Sequence, residues 1–172
     1  MNTIRCRLIS TPIGTMLAGA SDRAIGWLEF VEDGEADVSR ARMEKKFRQQ
    51  AVDGTSALLN TLEQELARYF RGTLKRWSLP MDRRGTEFQQ RVWSALEEIP
   101  FGETRSYADI ARAVGRPKAV RAIGRANGSN GIYLLVPCHR VIASDGSISG
   151  YGGAVWRKEW LLDMEKRAAG KP

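Results

Sequence analysis

The chain is short of the residues that build metal centres and covalent staples. Its 172 residues hold one histidine, His139, and two cysteines, Cys6 and Cys138. A single imidazole leaves a conventional zinc site almost without ligands, so no metal is expected. Two cysteines make no disulfide framework, and a reducing, cytoplasmic compartment is the expectation. No apolar run approaches the roughly 20 residues a membrane span needs, so no membrane partner is expected. The opening residues Met1-Asn2-Thr3-Ile4-Arg5-Cys6 lack the basic-then-apolar plan of a secretory leader. A hydrophobic fraction of 42% and a charged fraction of 27% exclude disordered, collagen-like and coiled-coil classes. This length buries a core unaided, as one large domain or two small ones.

The formal charge of +7 permits a polyanionic partner without requiring one. Its distribution is more informative than its size. Between positions 105 and 125 lie Arg105, Arg112, Arg116, Lys118, Arg121 and Arg125 against Asp109 alone.

Two regions follow from the patterning. In the first, residues 1–80, strand-like alternation puts Ile4, Cys6 and Leu8 on one face. Further strands are expected over Thr15–Gly19 and Ile25–Val31. A charged helix is expected from Val38 to Gln49. A second helix carries Leu59, Leu62, Leu66 and Phe70 and stops at Gly72. Nothing in this region points to chemistry, so it reads as a structural domain, with the segment Trp77 to Arg84 as the connection onward.

The second region, residues 85–172, reads as mostly helical, giving an α+β chain. Thr86-Glu87-Phe88-Gln89 is a capping box ahead of a stripe of Phe88, Val92, Leu96 and Ile99. Ser106-Tyr107-Ala108-Asp109 repeats the logic. Gly115-Arg116-Pro117 turns into a basic helix expected from Lys118 to Asn127, with Pro117 opening it. Lys118, Arg121 and Arg125 fall on one face, opposite Val120 and Ile123. This pattern fits a DNA-binding helix-turn-helix and, equally, a solvated face on a helical hairpin. The small side chains of Ala119, Ala122, Gly124 and Ala126 favour close approach to a minor groove over base reading in the major groove.

The chemistry concentrates at Val136-Pro137-Cys138-His139-Arg140-Val141. Ile132 to Val136 reads as a strand ended by Pro137. The only imidazole lies next to the cysteine, and neighbouring cations and irregular backbone favour a low-pKa thiolate nucleophile. Adjacent strand residues face opposite ways, so a bridging water is the expected proton route, with a carboxylate needed to orient the ring.

These residues, with Gly150-Tyr151-Gly152-Gly153, Arg157-Lys158-Glu159-Trp160-Leu161-Leu162, Ile99-Pro100-Phe101-Gly102-Glu103-Thr104 and Arg121-Ala122-Ile123-Gly124, resemble the O6-alkylguanine-DNA alkyltransferase family. The resemblance runs in order through residues 85–167. The earlier residues share only length and strand-rich character with that family's first domain, which it implies to be RNase H-like, ahead of a helix-turn-helix domain. The resemblance implies a monomer acting without a cofactor on double-stranded DNA that carries O6-alkylguanine, and to a lesser degree O4-alkylthymine. It implies single-turnover transfer of the alkyl group to Cys138.

It further implies roles for individual residues. His139 is the base acting through water, Glu165 its orienting carboxylate, Asn130 a support of the active-site turn, and Tyr151 the donor to O6. Tyr107, Lys118, Arg121, Ala122, Gly124 and Arg125 form the DNA contact, with Arg121 filling the place of the extruded base. Backbone near Val141 and Gly152 holds the purine, and Tyr133 stands at the pocket rim, narrowing it. Gly131 replaces the proline the family usually carries after the asparagine. Without the resemblance, two alternatives remain: a lesion-binding helix-turn-helix protein with no transfer activity, and a Cys-His hydrolase of small acyl substrates.

Overall fold

A computed structural model describes residues 3–172. The chain divides into two compact units, residues up to 84 and from 85 onward.

The first unit is built on a four-stranded sheet. Strands β1 (Thr3–Thr11), β2 (Gly14–Ala20) and β3 (Ile25–Val31) form an antiparallel meander. Helix α1 (Ala36–Phe47) then leads to β4 (Gln50–Asp53), which pairs parallel to β1 and completes the order β3-β2-β1-β4. One face presents Ile4, Cys6, Leu17, Trp27 and Val31 to Met43 and Phe47 of α1, with Ala51 of β4 beside them. Helix α2 (Ala57–Phe70) serves the other face through Leu59, Leu62, Leu66 and Tyr69. On that face Arg7 reaches the Leu59 carbonyl at 3.0 Å and the Glu63 carboxylate at 2.6 Å. The edge of β3 is closed by the connecting segment: Ile25 N–H donates to the Pro80 carbonyl at 2.9 Å, and Asp82 N–H donates to the Ile25 carbonyl at 2.8 Å.

Two expectations change here. Leu8 shares its face with Ile4 and Cys6 but is 53% exposed, because the α1 cover does not extend to it. The charged helix begins earlier and ends earlier than Val38 to Gln49. Arg48 adopts left-handed backbone with φ 54° and turns the chain into β4. That strand has a single buried residue, Ala51, and so carries no alternation to read.

In the second unit α3 (Glu87–Glu97) begins with the complete Thr86–Gln89 capping box. Val92, Trp93, Leu96 and Ile99 are buried, whereas Phe88 is only half-buried. Strand β5 (Arg105–Ser106) leads into α4 (Tyr107–Ala113), capped by a second box of Ser106 and Asp109. Helix α5 (Val120–Gly128) starts later than expected. Pro117 sits in a turn closed by Ala119 N–H on the Arg116 carbonyl at 2.9 Å, so it precedes the helix instead of opening it, and Lys118 stays in the turn. Ile123 is buried, but Val120 is 41% exposed and does not back the basic face. Trp93 Nε1 donates to the Ala126 carbonyl at 2.9 Å and ties α3 to α5. A 3-10 turn (Cys138–Arg140) leads into β6 (Val141–Ile142), which pairs parallel to β5, and α6 (Val155–Ala168) closes the unit. No helix among the described residues is long and apolar enough to cross a membrane.

Gly102 follows α3 with φ +80°, and a Cβ there would lie 2.5 Å from Ala169 Cβ and 3.1 Å from the Glu165 carbonyl oxygen. Backbone on α6 cannot give way without moving Glu165 itself. Gly102→Ala is therefore expected to lower unfolding stability by about 1–3 kcal/mol, from left-handed strain and overpacking together. Urea denaturation measures it, and an unchanged midpoint contradicts the packing described.

Candidate active site

The run before the cysteine is not a strand. Val136 N–H bonds back to the Ile132 carbonyl at 3.0 Å and Leu135 N–H to the Tyr133 carbonyl at 2.8 Å, with Leu134 held at φ 72°. The chain thus coils into a tight buried turn, and Ile132 to Val136 are apolar because they are enclosed on all sides. Pro137 has no N–H to extend any ladder. In the 3-10 turn that follows, successive side chains diverge by about a third of a turn and do not alternate between two faces. Cys138, His139 and Arg140 are all buried.

Asn130 organises this turn. Its Nδ2 donates to the Val136 carbonyl at 2.9 Å and to Cys138 Sγ at 3.2 Å, and its Oδ1 accepts from Ile132 N–H at 2.9 Å. All three bonds form with Gly131 in the next position. His139 Nε2 meets Glu165 Oε1 of α6 at 2.7 Å. Arg140 grips the same carboxylate, Nε on Oε2 at 2.9 Å and Nη2 on Oε1 at 3.0 Å, and its Nη1 donates to the Ile99 carbonyl at 2.8 Å.

The charges follow from these contacts. Burial alone would raise the Glu165 carboxyl, but His139 and Arg140 hold it far below the usual carboxylate range, so it is an anion. Burial lowers the His139 imidazole, and although Glu165 pulls the other way it is neutral at pH 7. A neutral ring facing an anion carries its proton on Nε2, which makes Nδ1 the basic nitrogen.

The sulfur differs from the sequence reading. Burial pushes the Cys138 thiol up to about 11, against the opposing pull of Asn130, Lys158 and nearby backbone amides. The expected low-pKa thiolate is therefore not the resting state; enclosure outweighs the cations. Tyr151 is half-buried, and its hydroxyl is fully enclosed with no hydrogen-bond partner among the described residues. Burial and the neighbouring Cys138 and Tyr133 keep this phenol protonated well above its usual range.

Tyr133 is 8% exposed and packs its ring on Tyr151, centroids 5.4 Å apart, so it lies inside the site and not at an open rim. A Cβ on Gly152 would meet the Tyr133 hydroxyl at 2.2 Å, so this glycine is required by an internal contact even in the resting protein. Val141 is buried and its carbonyl accepts from Lys158 Nζ at 2.6 Å. Tyr107 is half-buried near Lys158, whose Nζ lies 5.9 Å from its ring centroid. Lys118, Arg121 and Arg125 are exposed, and Ala122 and Gly124 are partly buried. Gly124 brings α5 close to Tyr107, with a Cβ position 4.0 Å from its ring.

Sequence reasoning gave no role to Arg140, Lys158 or Asn127, whose Nδ2 donates to the Cys138 carbonyl at 3.3 Å. Arg140 and Lys158 stood within the quoted motifs, but a buried cation and a solvated one look alike in sequence. Among the described residues no cluster of His, Cys, Asp and Glu could hold a metal ion. An open groove of about 640 Å³ beside α3, lined by Glu87, Arg91, Glu98 and Val114, contains none of the candidate site residues.

Comparison with known proteins identifies the family. Residues 87–167 match the family described as 6-O-methylguanine DNA methyltransferase, DNA binding domain. A methylated-DNA–protein-cysteine methyltransferase of Mycolicibacterium paratuberculosis is 43% identical over 95% of this chain and 93% of its own. The constitutive methyltransferase of Bacillus subtilis is 54% identical over 60% of this chain and 64% of its own. The crystal structure of Mycobacterium tuberculosis O6-methylguanine methyltransferase superposes with a TM-score of 0.81 at 39% identity, covering 98% of this chain and 94% of that one. The Mycobacterium tuberculosis protein in complex with DNA gives the same TM-score, 0.81, over 95% of this chain and 94% of that one. The chain belongs to the family of methylated-DNA–protein-cysteine methyltransferases.

Proposed function

We propose that this protein repairs DNA by moving an alkyl group from O6 of guanine, and less readily from O4 of thymine, onto Cys138, once per molecule. The observation that carries the reading is the buried set of contacts that joins Asn130 to the Cys138 sulfur and ties the adjacent His139 and Arg140 to Glu165 of α6. In the reaction the thiol proton passes through a water to His139 Nδ1. The sulfur attacks the alkyl carbon, an S–C bond forms and the C–O6 bond breaks. Tyr151 donates its hydroxyl proton to the departing base, and the proton held by His139 replaces it by way of solvent. The product thioether is a poor leaving group, so the protein is consumed.

A base inside a duplex cannot reach a buried sulfur and must be flipped out, at a cost of a few kcal/mol in stacking and pairing. In this reading α4 and α5 act as a helix-turn-helix on the minor groove. Arg121 fills the vacated stack, Tyr107 turns the target phosphate, and Ala122 and Gly124 permit close approach. Lys118 and Arg125 supply salt-dependent affinity without base reading. Backbone at Val141 and Gly152 holds the purine edge. Residues 1–80 serve as a structural, RNase H-like domain, and residues 85–172 carry DNA binding and transfer. The protein works as a monomer in the cytoplasm. The relatives' names, and the relative's structure with DNA, support the substrate and partner.

Incubation with a duplex holding one O6-methylguanine should raise the intact mass by a single methyl-for-hydrogen exchange on the Cys138 peptide. An unchanged mass while the duplex is bound eliminates the reading. A thiol held near 11 should make native Cys138 react with iodoacetamide at pH 7 at least about tenfold more slowly than in denaturant, where its thiol returns to about 8.5. Reaction at the speed of an ordinary cysteine would show a thiolate at rest. Arg121→Ala should slow repair of duplex substrate by about tenfold or more, the scale of the flipping cost, and leave reaction with free O6-benzylguanine within about twofold. Equal losses on both substrates contradict a role in extrusion.

A further inference from the structure

Asn127 lies near the end of α5 and is 4% exposed. Its bond to the Cys138 carbonyl settles the orientation of its amide. Turned the other way, Oδ1 would face a carbonyl oxygen, acceptor against acceptor. With Nδ2 committed, Oδ1 is left buried and, among the described residues, without a hydrogen-bond partner. Buried amide oxygens are rarely left so, because the lost hydration is not recovered. This one lies within an amide's width of the backbone of the alkyl acceptor. The Tyr151 hydroxyl is a second buried group without a hydrogen-bond partner among the described residues, and its phenol feels the charge of Cys138. One is an acceptor and the other a donor.

The chemistry of the lesion says what each lacks. Alkylation at O6 removes the proton from N1 of guanine and leaves the exocyclic 2-amino group as the N–H donor on that edge. An O4-alkylated thymine has lost its N3 proton and offers no N–H donor at all. We propose that Asn127 Oδ1 accepts a hydrogen bond from the 2-amino group of the flipped guanine, which makes Asn127 a specificity-determining residue for alkylguanine over bases without that group. This rests on the alkyl-transfer reading above. A site built to bond a substrate N–H rejects the analogue lacking it, because its own buried acceptor then goes unpaired.

The test compares methyl transfer from duplexes carrying O6-methylguanine with transfer from duplexes carrying O6-methylhypoxanthine, which differs only in lacking the 2-amino group. The wild-type protein should react faster with the first by about tenfold or more. In Asn127→Leu, which keeps the volume and removes the amide, the ratio should fall to about threefold or less. Asn127→Met carries the same comparison if the branched side chain prevents folding. A structural role alone slows both substrates together, so a ratio unchanged in the variant overturns the proposal, as do equal rates in the wild-type protein. Failure of the wild-type protein to react with either duplex sinks the alkyl-transfer reading itself, which is a separate outcome.

Discussion

Everything in the candidate site is referred to one buried carboxylate. An unpaired anion at the position of Glu165 would cost several kcal/mol in lost hydration. Arg140 offsets this with two parallel hydrogen bonds, the geometry in which a guanidinium binds a carboxylate best. The pairing also sets the chemistry. A carboxylate so strongly held as an anion does not take a proton from His139; it fixes the tautomer and orientation of the ring. It sets the architecture too. Arg140 carries the network on to the Ile99 carbonyl beyond α3, and Glu165 belongs to α6, so three separated segments meet at one acid.

The sulfur beside this network is kept protonated by enclosure. In the proposed reaction each transfer consumes one molecule, and that state then has a physical rationale. A thiolate exposed at neutral pH would react with any soft electrophile or oxidant, and each such event would destroy one molecule. A buried thiol responds only when a substrate arrives with its reactive carbon aligned. In the proposed reaction the barrier to deprotonation is met by His139, already positioned and already neutral.

Much of this was legible in the chain. Both capping boxes and the stop at Gly72 rest on local rules, and local rules survive folding. The pairing of His139 with Glu165 was reachable only through family resemblance, since 26 residues separate them. The misreadings share a cause. Ile132 to Val136 carried the composition of a strand, but full enclosure selects apolar residues whatever the backbone does. Lys158 and Arg140 were read as part of a motif, because nothing in a sequence tells a desolvated cation from a solvated one. The thiol was read as acidic from its basic neighbours, a judgement that needs the depth of burial as well as the charges. Strand β4 was missed because four residues with one buried side chain give no period.

Helix α5 joins two demands that other folds keep apart. Its outward side carries Arg121 and Arg125 in solvent. Its inward side hands the Ala126 carbonyl to Trp93 and the Asn127 amide to the Cys138 backbone. Nine residues thus connect a surface of exposed cations with the backbone of Cys138. A rigid helix cannot shift its exposed cations without shifting its buried bonds, since close-packed interiors transmit displacement and do not absorb it. Binding and reactivity are in that sense one geometry. In the proposed function a change of side chain at position 121 acts on the duplex and leaves the sulfur in place, whereas a change in the axis of α5 shifts the DNA contact and the sulfur together.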